Sequence, residues 1–309
     1  MSSPSALPET GRRCWVCGSS DNTLWKERNT NHRLSPADLL ITDSRYGVTL
    51  RLFRCCDCGF IFAEDDEVRE LYSLYEQLAD PAYEATTASR TLQMQWLIDR
   101  GRVAHPNART LLEIGSGSGL LIATARAAGL DATGIEPSHS LVRSARRLTG
   151  VDLLQGTFPH PAVAGRKFDL IYLVDVIEHV SDPVALLSAM REAIAPGGVA
   201  VVVTPDISSV AARLLGRRWW HLRLAHVGYF DPALMVRATD RAGLAITDHF
   251  RAQWFLPVSY LAERAAKYVP IDWLNRRVGS SSLYRRVVAL NLRDSSVFLL
   301  RSSLDALGR

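Results

Sequence analysis

The stretch that most constrains this chain is Leu111-Leu112-Glu113-Ile114-Gly115-Ser116-Gly117-Ser118-Gly119. An apolar run reaches an acid and an isoleucine, then three glycines follow at every second position. Leu120-Leu121-Ile122-Ala123-Thr124-Ala125 comes directly after. That order predicts a buried strand, a tight turn and a helix. Glycine suits such a turn because a side chain would block it and keep a ligand off the backbone. The spacing also separates ligand classes. A dinucleotide fingerprint needs its third glycine at position 120, where this chain has leucine.

Downstream the strand-and-helix pattern repeats. Asp131–Glu136 reads as a second strand ending in an acid, 21 positions after Gly115. A carboxylate at that tip is placed to accept hydrogen bonds from both hydroxyls of a ribose. Val151–Gln155 is the expected third strand, followed by Gly156-Thr157-Phe158, and Phe168–Val174 the fourth, followed by Asp175-Val-Ile-Glu178-His179. Residues 199–205, 245–250 and 296–300 complete seven strands. Helices are expected over 65–79, with Val68, Leu71, Tyr72 and Tyr75 on one face, and over about 85–101, bringing Leu92, Trp96 and Leu97 to the core.

The N-terminal third carries a different signal. Cys14-Trp-Val-Cys17-Gly18 and Cys55-Cys-Asp-Cys58-Gly59 are two Cys-x2-Cys-Gly knuckles with 37 residues between them. Each knuckle sets two thiolates on one turn, and two such turns complete a tetrahedron around Zn²⁺. Four protein ligands close the site, so the expected zinc is structural; Cys56 is spare, and disulfides are the alternative. The boundaries expected are a disordered 1–13, a zinc-ribbon-like module over 14–62, and a main domain over 63–309 with insertions near 206–226 and 252–290.

Motif I (Glu113 to Gly119), Glu136, the third strand and "FDLIYLVDVIEHVSDP…APGGVAVVVTP" resemble, in order and spacing, the ubiquinone/menaquinone-type branch of class I S-adenosylmethionine-dependent methyltransferases. The resemblance covers about residues 85–250 and leaves the knuckles outside. It implies a Rossmann-like seven-stranded α/β sheet and S-adenosyl-L-methionine as cofactor. By that resemblance the cofactor meets Glu113, Gly115, Gly117, Gly119, Glu136, Pro137, Thr157, Phe158 and Asp175. The segment before motif I often folds over the cofactor in this family, which makes Tyr83 and Arg90 candidates for its methionine carboxylate. Asp175, Glu178 and His179 face the methyl group, where members acting on catechol-like acceptors hold a divalent cation; the shorter Asp175 at the first acid is a departure. His226, in Ala225-His226-Val-Gly-Tyr229-Phe230, is the preferred general base, since neutral imidazole accepts a proton near pH 7.

Charge is unevenly spread. Residues 210–309 carry 16 Lys/Arg against 7 Asp/Glu, whereas 1–209 carry 20 against 25, so the C-terminal third is expected to face something anionic. Trp219-Trp220 beside Arg217 and Arg218 suits an interfacial anchor or a lid over an apolar acceptor. Trp254, Phe255, Tyr260, Tyr268 and Trp273, interleaved with arginines, suit contact with a membrane or a lipid-linked substrate. With no apolar run of membrane-spanning length and no signal-peptide centre, the expected location is cytoplasmic, with peripheral membrane contact. The leading expectation is O-methylation of a small-molecule, glycan or lipid-linked hydroxyl. Its rivals are an RNA methyltransferase gripping RNA with the knuckles and basic region, and a non-catalytic scaffold.

Overall fold

The structure is a computed structural model of the 309-residue chain, describing residues 12–42, 45–80, 87–265 and 286–306. Strands β1 (Asn22–Lys26), β2 (Leu52–Cys55) and β3 (Ile61–Ala63) come first, then helices α1 (Asp65–Tyr75) and α2 (Thr87–Ala104). Next come β4 (Thr110–Ile114), α3 (Leu120–Ala127), β5 (Asp131–Glu136), α4 (His139–Thr149), β6 (Leu154–Gln155) and β7 (Phe168–Val174). Helix α5 (Pro183–Ala193), β8 (Ile194–Pro205), α6 (Val210–Leu215), β9 (Gly228–Tyr229), α7 (Pro232–Ala242) and β10 (Leu244–Arg251) follow. The chain then runs through β11 (Trp254–Pro257), α8 (Val258–Ala265), β12 (Val287–Leu290) and β13 (Ser295–Ser302).

One seven-stranded sheet has the order β10-β13-β8-β7-β4-β5-β6, with β13 antiparallel to both neighbours. It is the expected Rossmann-like α/β sheet. Strand order reverses around β4, and ligands bind such sheets beyond the carboxyl ends of the strands at that reversal. Local chemistry fixes the helix starts. Helices α5 and α7 each begin at an Asp-Pro pair, where the aspartate accepts the amide three residues on: Asp182 from Ala185 at 2.9 Å, Asp231 from Leu234 at 2.8 Å. Proline at the first helical position forfeits only an amide that the helix could not use.

The two faces of the sheet bury separate cores. Helices α2 and α3 cover one, with Leu97, Ile98, Leu121, Tyr172 and Val201 enclosed. Helices α5 and α7 cover the other, and that core continues into the cysteine region through Val16, Phe53, Phe60 and Phe62. A second sheet explains the continuity. Its order is β1-β2-β3-β9, so its fourth strand comes from the segment after His226. Phe60 packs on Phe230 at 5.0 Å between ring centroids.

Three details differ from the sequence reading. The third strand pairs only at Leu154–Gln155, although Val151 and Leu153 are buried. Leu92 lies on the outer face of α2, nearly half exposed, while Leu97 and Ile98 carry the packing. Trp219 is buried and Trp220 half-buried, because Trp220 Nε1 donates to Asp294 Oδ2 at 2.7 Å and pulls the pair inward. Tyr268 and Trp273 lie outside the described residues.

Gly101 lets α2 lie on the sheet. A Cβ there would stand 2.0 Å from the Tyr172 hydroxyl, which donates to Leu97 O at 3.0 Å. Helix propensity favours alanine over glycine by about 1 kcal/mol. Overpacking costs about 1–3 kcal/mol and the displaced hydrogen bond about 1 kcal/mol more. The clash wins. Gly101→Ala is expected to lower stability by roughly 1–3 kcal/mol, read as a fall in melting temperature.

Candidate functional site

The glycine turn after β4 works as the sequence implies. Gly115, Gly117 and Gly119 have φ of 75°, 53° and 73°, and a Cβ on Gly115 would meet Val176 Cγ2 at 2.5 Å. Only glycine takes these dihedrals without cost. The turn wraps the end of β5. Glu136 is fully buried, with Oε2 accepting from Gly117 N at 2.8 Å and Oε1 from Ser138 N at 2.8 Å. Burial pushes its carboxyl up to about 7, against the pull of those two hydrogen bonds. Glu113 is also buried and is held well above the ordinary carboxylate range, chiefly by burial, with nearby Glu136 adding and Arg90 opposing. Arg90 also lowers Asp175, so one guanidinium on α2 faces both acids. Pro137 and Phe158 are half-buried on the same edge and Thr157 is exposed; Tyr83 lies outside the described residues.

Asp175, directly after β7, has a φ of 51°, a left-handed conformation that aspartate tolerates better than most residues. Strain of this kind persists where the surroundings impose it. Its amide donates to Val203 O at 3.0 Å. Burial lifts its carboxyl to about 6, opposed by His221, Arg90 and Arg223. Beyond it lies a separate group of donors. Glu178, His179 and His226 each offer one ligand atom, all within 4.8 Å of one another, and Asp175 is not among them. His179 donates Nδ1–H to Ala225 O at 2.6 Å, which fixes the tautomer and frees Nε2. Its imidazole is lowered to about 4 by burial and by Arg223. His226 meets His179 edge to face at 4.8 Å between centroids and is lowered well below the usual histidine range, mainly by burial. Glu178 Oε2 accepts from Thr204 Oγ1 at 3.0 Å, and burial beside Asp175 raises its carboxyl well above normal.

Several buried polar atoms here meet no hydrogen-bond partner among the described residues: Glu113 Oε2, Asp175 Oδ1, Glu178 Oε1, His226 Nδ1 and Asp294 Oδ1. Orphaned groups of this kind are rare in finished interiors, and a bound water, ion or ligand is one way of satisfying them. The sequence reading did not single out His221, Arg223, Thr204 or Asp294. Arg223 donates to the carbonyls of Leu40 and Ile41, while Asp294 accepts from Trp220 and sits 3.3 Å from His221 Nε2. Asp294 had a readable signal, as an acid at the entry to a strand on the ligand-binding edge.

The cysteine knuckles converge as expected. Cys14, Cys17, Cys55 and Cys58 form one cluster, with Sγ–Sγ distances of 3.5 Å for Cys14–Cys58 and 3.4 Å for Cys17–Cys55. Disulfide sulfurs stand about 2.05 Å apart, and all five cysteines are free. A tetrahedron with Zn–S of about 2.3 Å has edges near 3.8 Å, so the four thiols fit such an ion. Burial pushes Cys14 up to about 11 and raises Cys58, whereas backbone amides lower Cys55. Cys56 is exposed and outside the cluster.

A family model described as a methyltransferase domain matches residues 87–249, more than half of the chain. The chain belongs to the class I S-adenosylmethionine-dependent methyltransferases. Among curated proteins, this methyltransferase is 32% identical over 181 residues to a ubiquinone biosynthesis O-methyltransferase of Cereibacter sphaeroides, covering 54% of this chain and 72% of that protein. A protein of the same description from Psychrobacter cryohalolentis is 27% identical, covering 55% and 74%. Among solved structures, the mitomycin 7-O-methyltransferase MmcR aligns at 16% identity and a TM-score of 0.46, covering 77% of this chain and 58% of that one. The sugar N-methyltransferase KedS8 from Streptoalloteichus aligns at 28% identity and a TM-score of 0.32, covering 36% and 46%.

Proposed function

We propose that the methyltransferase O-methylates a hydroxyl on a small-molecule, glycan or lipid-linked acceptor. The observation that carries this is the Glu178–His179–His226 donor set, whose orphaned Glu178 Oε1 and His226 Nδ1 lie beyond the strand ends. Methyl transfer from a sulfonium is an in-line displacement with an activated leaving group, so the enzyme aligns the acceptor and removes its proton. In this reading Glu113 and Arg90 meet the methionine end of the cofactor and Glu136 its ribose. His226 was read from sequence as a general base. Its depressed basicity suits a neutral ligand better, because a base is most effective near its working pH. A divalent cation held there would lower the pKa of a bound hydroxyl. Asp175, outside the donor set and ionised at pH 7, is left to face the acceptor or the sulfonium.

The proposed activity is tested by supplying methyl-tritiated cofactor with catechol-type acceptors, small-molecule extract and total RNA in parallel. Label in the small-molecule arms is expected; label confined to RNA would replace this reading with the RNA one. His226→Ala is expected to lower kcat by about 10²–10⁴-fold, and chelator should reproduce that loss in the wild type. Full turnover in chelator would return His226 to the role of base.

Cofactor affinity should depend on pH through Glu136. The acid titrates near 7 in the folded chain, well above its ordinary value of 4.5. Below pH 7 it is protonated and has lost an acceptor; above it is ionised. Affinity for S-adenosylmethionine is therefore expected to be flat above pH 7 and to fall about tenfold per unit below it. Glu136→Gln should flatten that profile and weaken binding roughly ten- to hundredfold, both read by calorimetry.

Structural zinc at the four cysteines is the second part of the proposal, supported by the sulfur geometry. Metal analysis of purified protein is expected to give about one zinc per chain. Cys14→Ser should lose that zinc and melt at a lower temperature, since binding at such sites is coupled to folding.

A further inference from the structure

A second cleft, of about 550 Å³, opens between α2 and the ends of β10 and β12. Its charge is one-sided: Arg100, Arg251 and Arg293 line it, with the aromatic faces of Trp96 and Phe250, and among the described residues no carboxylate does. The aromatic floor is ordered. Trp96 and Phe250 meet edge to face at 5.9 Å, and the Arg100 guanidinium lies 5.4 Å and 5.7 Å from their centroids. Arg251 is held from behind by the buried Asp206 and by Ser296 Oγ at 3.1 Å, which orders its side chain. Arg100 and Arg293 are exposed and form no salt bridge among the described residues. With Arg251 already paired to Asp206, the charge left to the cleft is that of Arg100 and Arg293, while Arg251 adds an ordered guanidinium, and the fork geometry of arginine suits phosphate oxygens.

The cleft also adjoins the acceptor side of the catalytic edge. Arg293 takes a left-handed turn, with φ of 55° and its amide donating to Asn291 Oδ1 at 3.0 Å. The next residue, Asp294, is buried and turns the opposite way, toward Trp220 and His221. Asp206 links the two places again, pairing with Arg251 by its side chain and donating its amide to Asp294 O at 2.8 Å.

We propose that this cleft binds the phosphate or pyrophosphate group of a phosphorylated acceptor, with its neighbouring apolar or planar portion against Trp96 and Phe250. The inference rests on the methyl-transfer reading of the adjoining site, and it narrows the acceptor class to phosphate esters. The volume is ordinary for a small-molecule pocket. It also gives part of the basic C-terminal third a definite use.

Calorimetric titration of the full chain with inorganic pyrophosphate tests it. Wild type is expected to bind, and the double variant Arg100→Gln/Arg293→Gln to bind at least tenfold more weakly, with affinity for S-adenosylmethionine within twofold of wild type. The cofactor arm shows that the variant is folded. No pyrophosphate binding by wild type, or equal binding by the variant, overturns the assignment. Loss of cofactor binding by wild type would instead remove the methyl-transfer reading, so the two failures are distinct. Two further probes separate the sources of phosphate. Binding of a nucleoside diphosphate that weakens in the variant supports a soluble ester. Co-sedimentation with phosphatidylcholine vesicles containing phosphatidic acid, weakened in the variant, supports a lipid headgroup.

Discussion

A carboxylate sealed at the tip of β5 sets the geometry of the ligand-binding edge. Glu136 takes one amide from the glycine turn before α3 and another from the residue capping α4, so both loops close on the same group. Hydrogen bonds to a charged acceptor are worth about 1.5–3 kcal/mol each, while removing a charge from water costs several. The rise of Glu136 to about 7 says that burial outweighs the two amides. A ligand bringing further hydroxyl donors would lower the energy of the ionised form. The fold therefore holds this acid short of donors, which is what the proposed ribose site would supply.

The Val227 peptide connects the strand after the second cysteine knuckle to the Glu178–His179–His226 group. Val227 donates its amide to Glu178 O at 2.8 Å, and its carbonyl accepts from Ala63 N at 2.8 Å. One residue earlier stands His226, and two residues later stands Tyr229, whose hydroxyl is raised by burial. Arg223 adds another link, since it is anchored on Leu40 and Ile41 while its charge depresses His179 and His226. The N-terminal region thus forms one wall of the site. Ordering it also orders two of the three residues between which a ligand atom would sit.

How much of this was legible in the sequence depends on how local each signal is. Strands β4, β5, β7, β8, β10 and β13 each carry their own apolar run and fell close to their expected positions. The three glycines and Glu136 announced the turn because glycine spacing is a local property of the chain. Strand β9 did not, being two residues long and paired with β3 from more than 160 positions earlier. The Trp219–Trp220 pair misled for the same reason. Its arginine neighbours suggest an exposed anchor, whereas the deciding contact is with Asp294, 74 positions away. Glu178 and His179 were visible as a pair, but no local pattern joins them to His226.

The protonation of this edge constrains what it can do. Asp175 at about 6 is ionised at pH 7, and Glu178 is raised well above the ordinary carboxylate range by burial and by Asp175. The two histidines beside it are neutral. Neutral imidazoles beside a carboxyl that burial drives toward its protonated form make a weakly charged donor set, and its ligand strength grows as Glu178 loses its proton. Asp175 carries a negative charge at pH 7, opposed by His221, Arg90 and Arg223. In the proposed reading a positive sulfonium would meet its compensating charge in Asp175. In the same reading the neutral imidazoles of His179 and His226 would serve a metal or a hydroxyl, and this division would separate the electrophile from the group that it methylates.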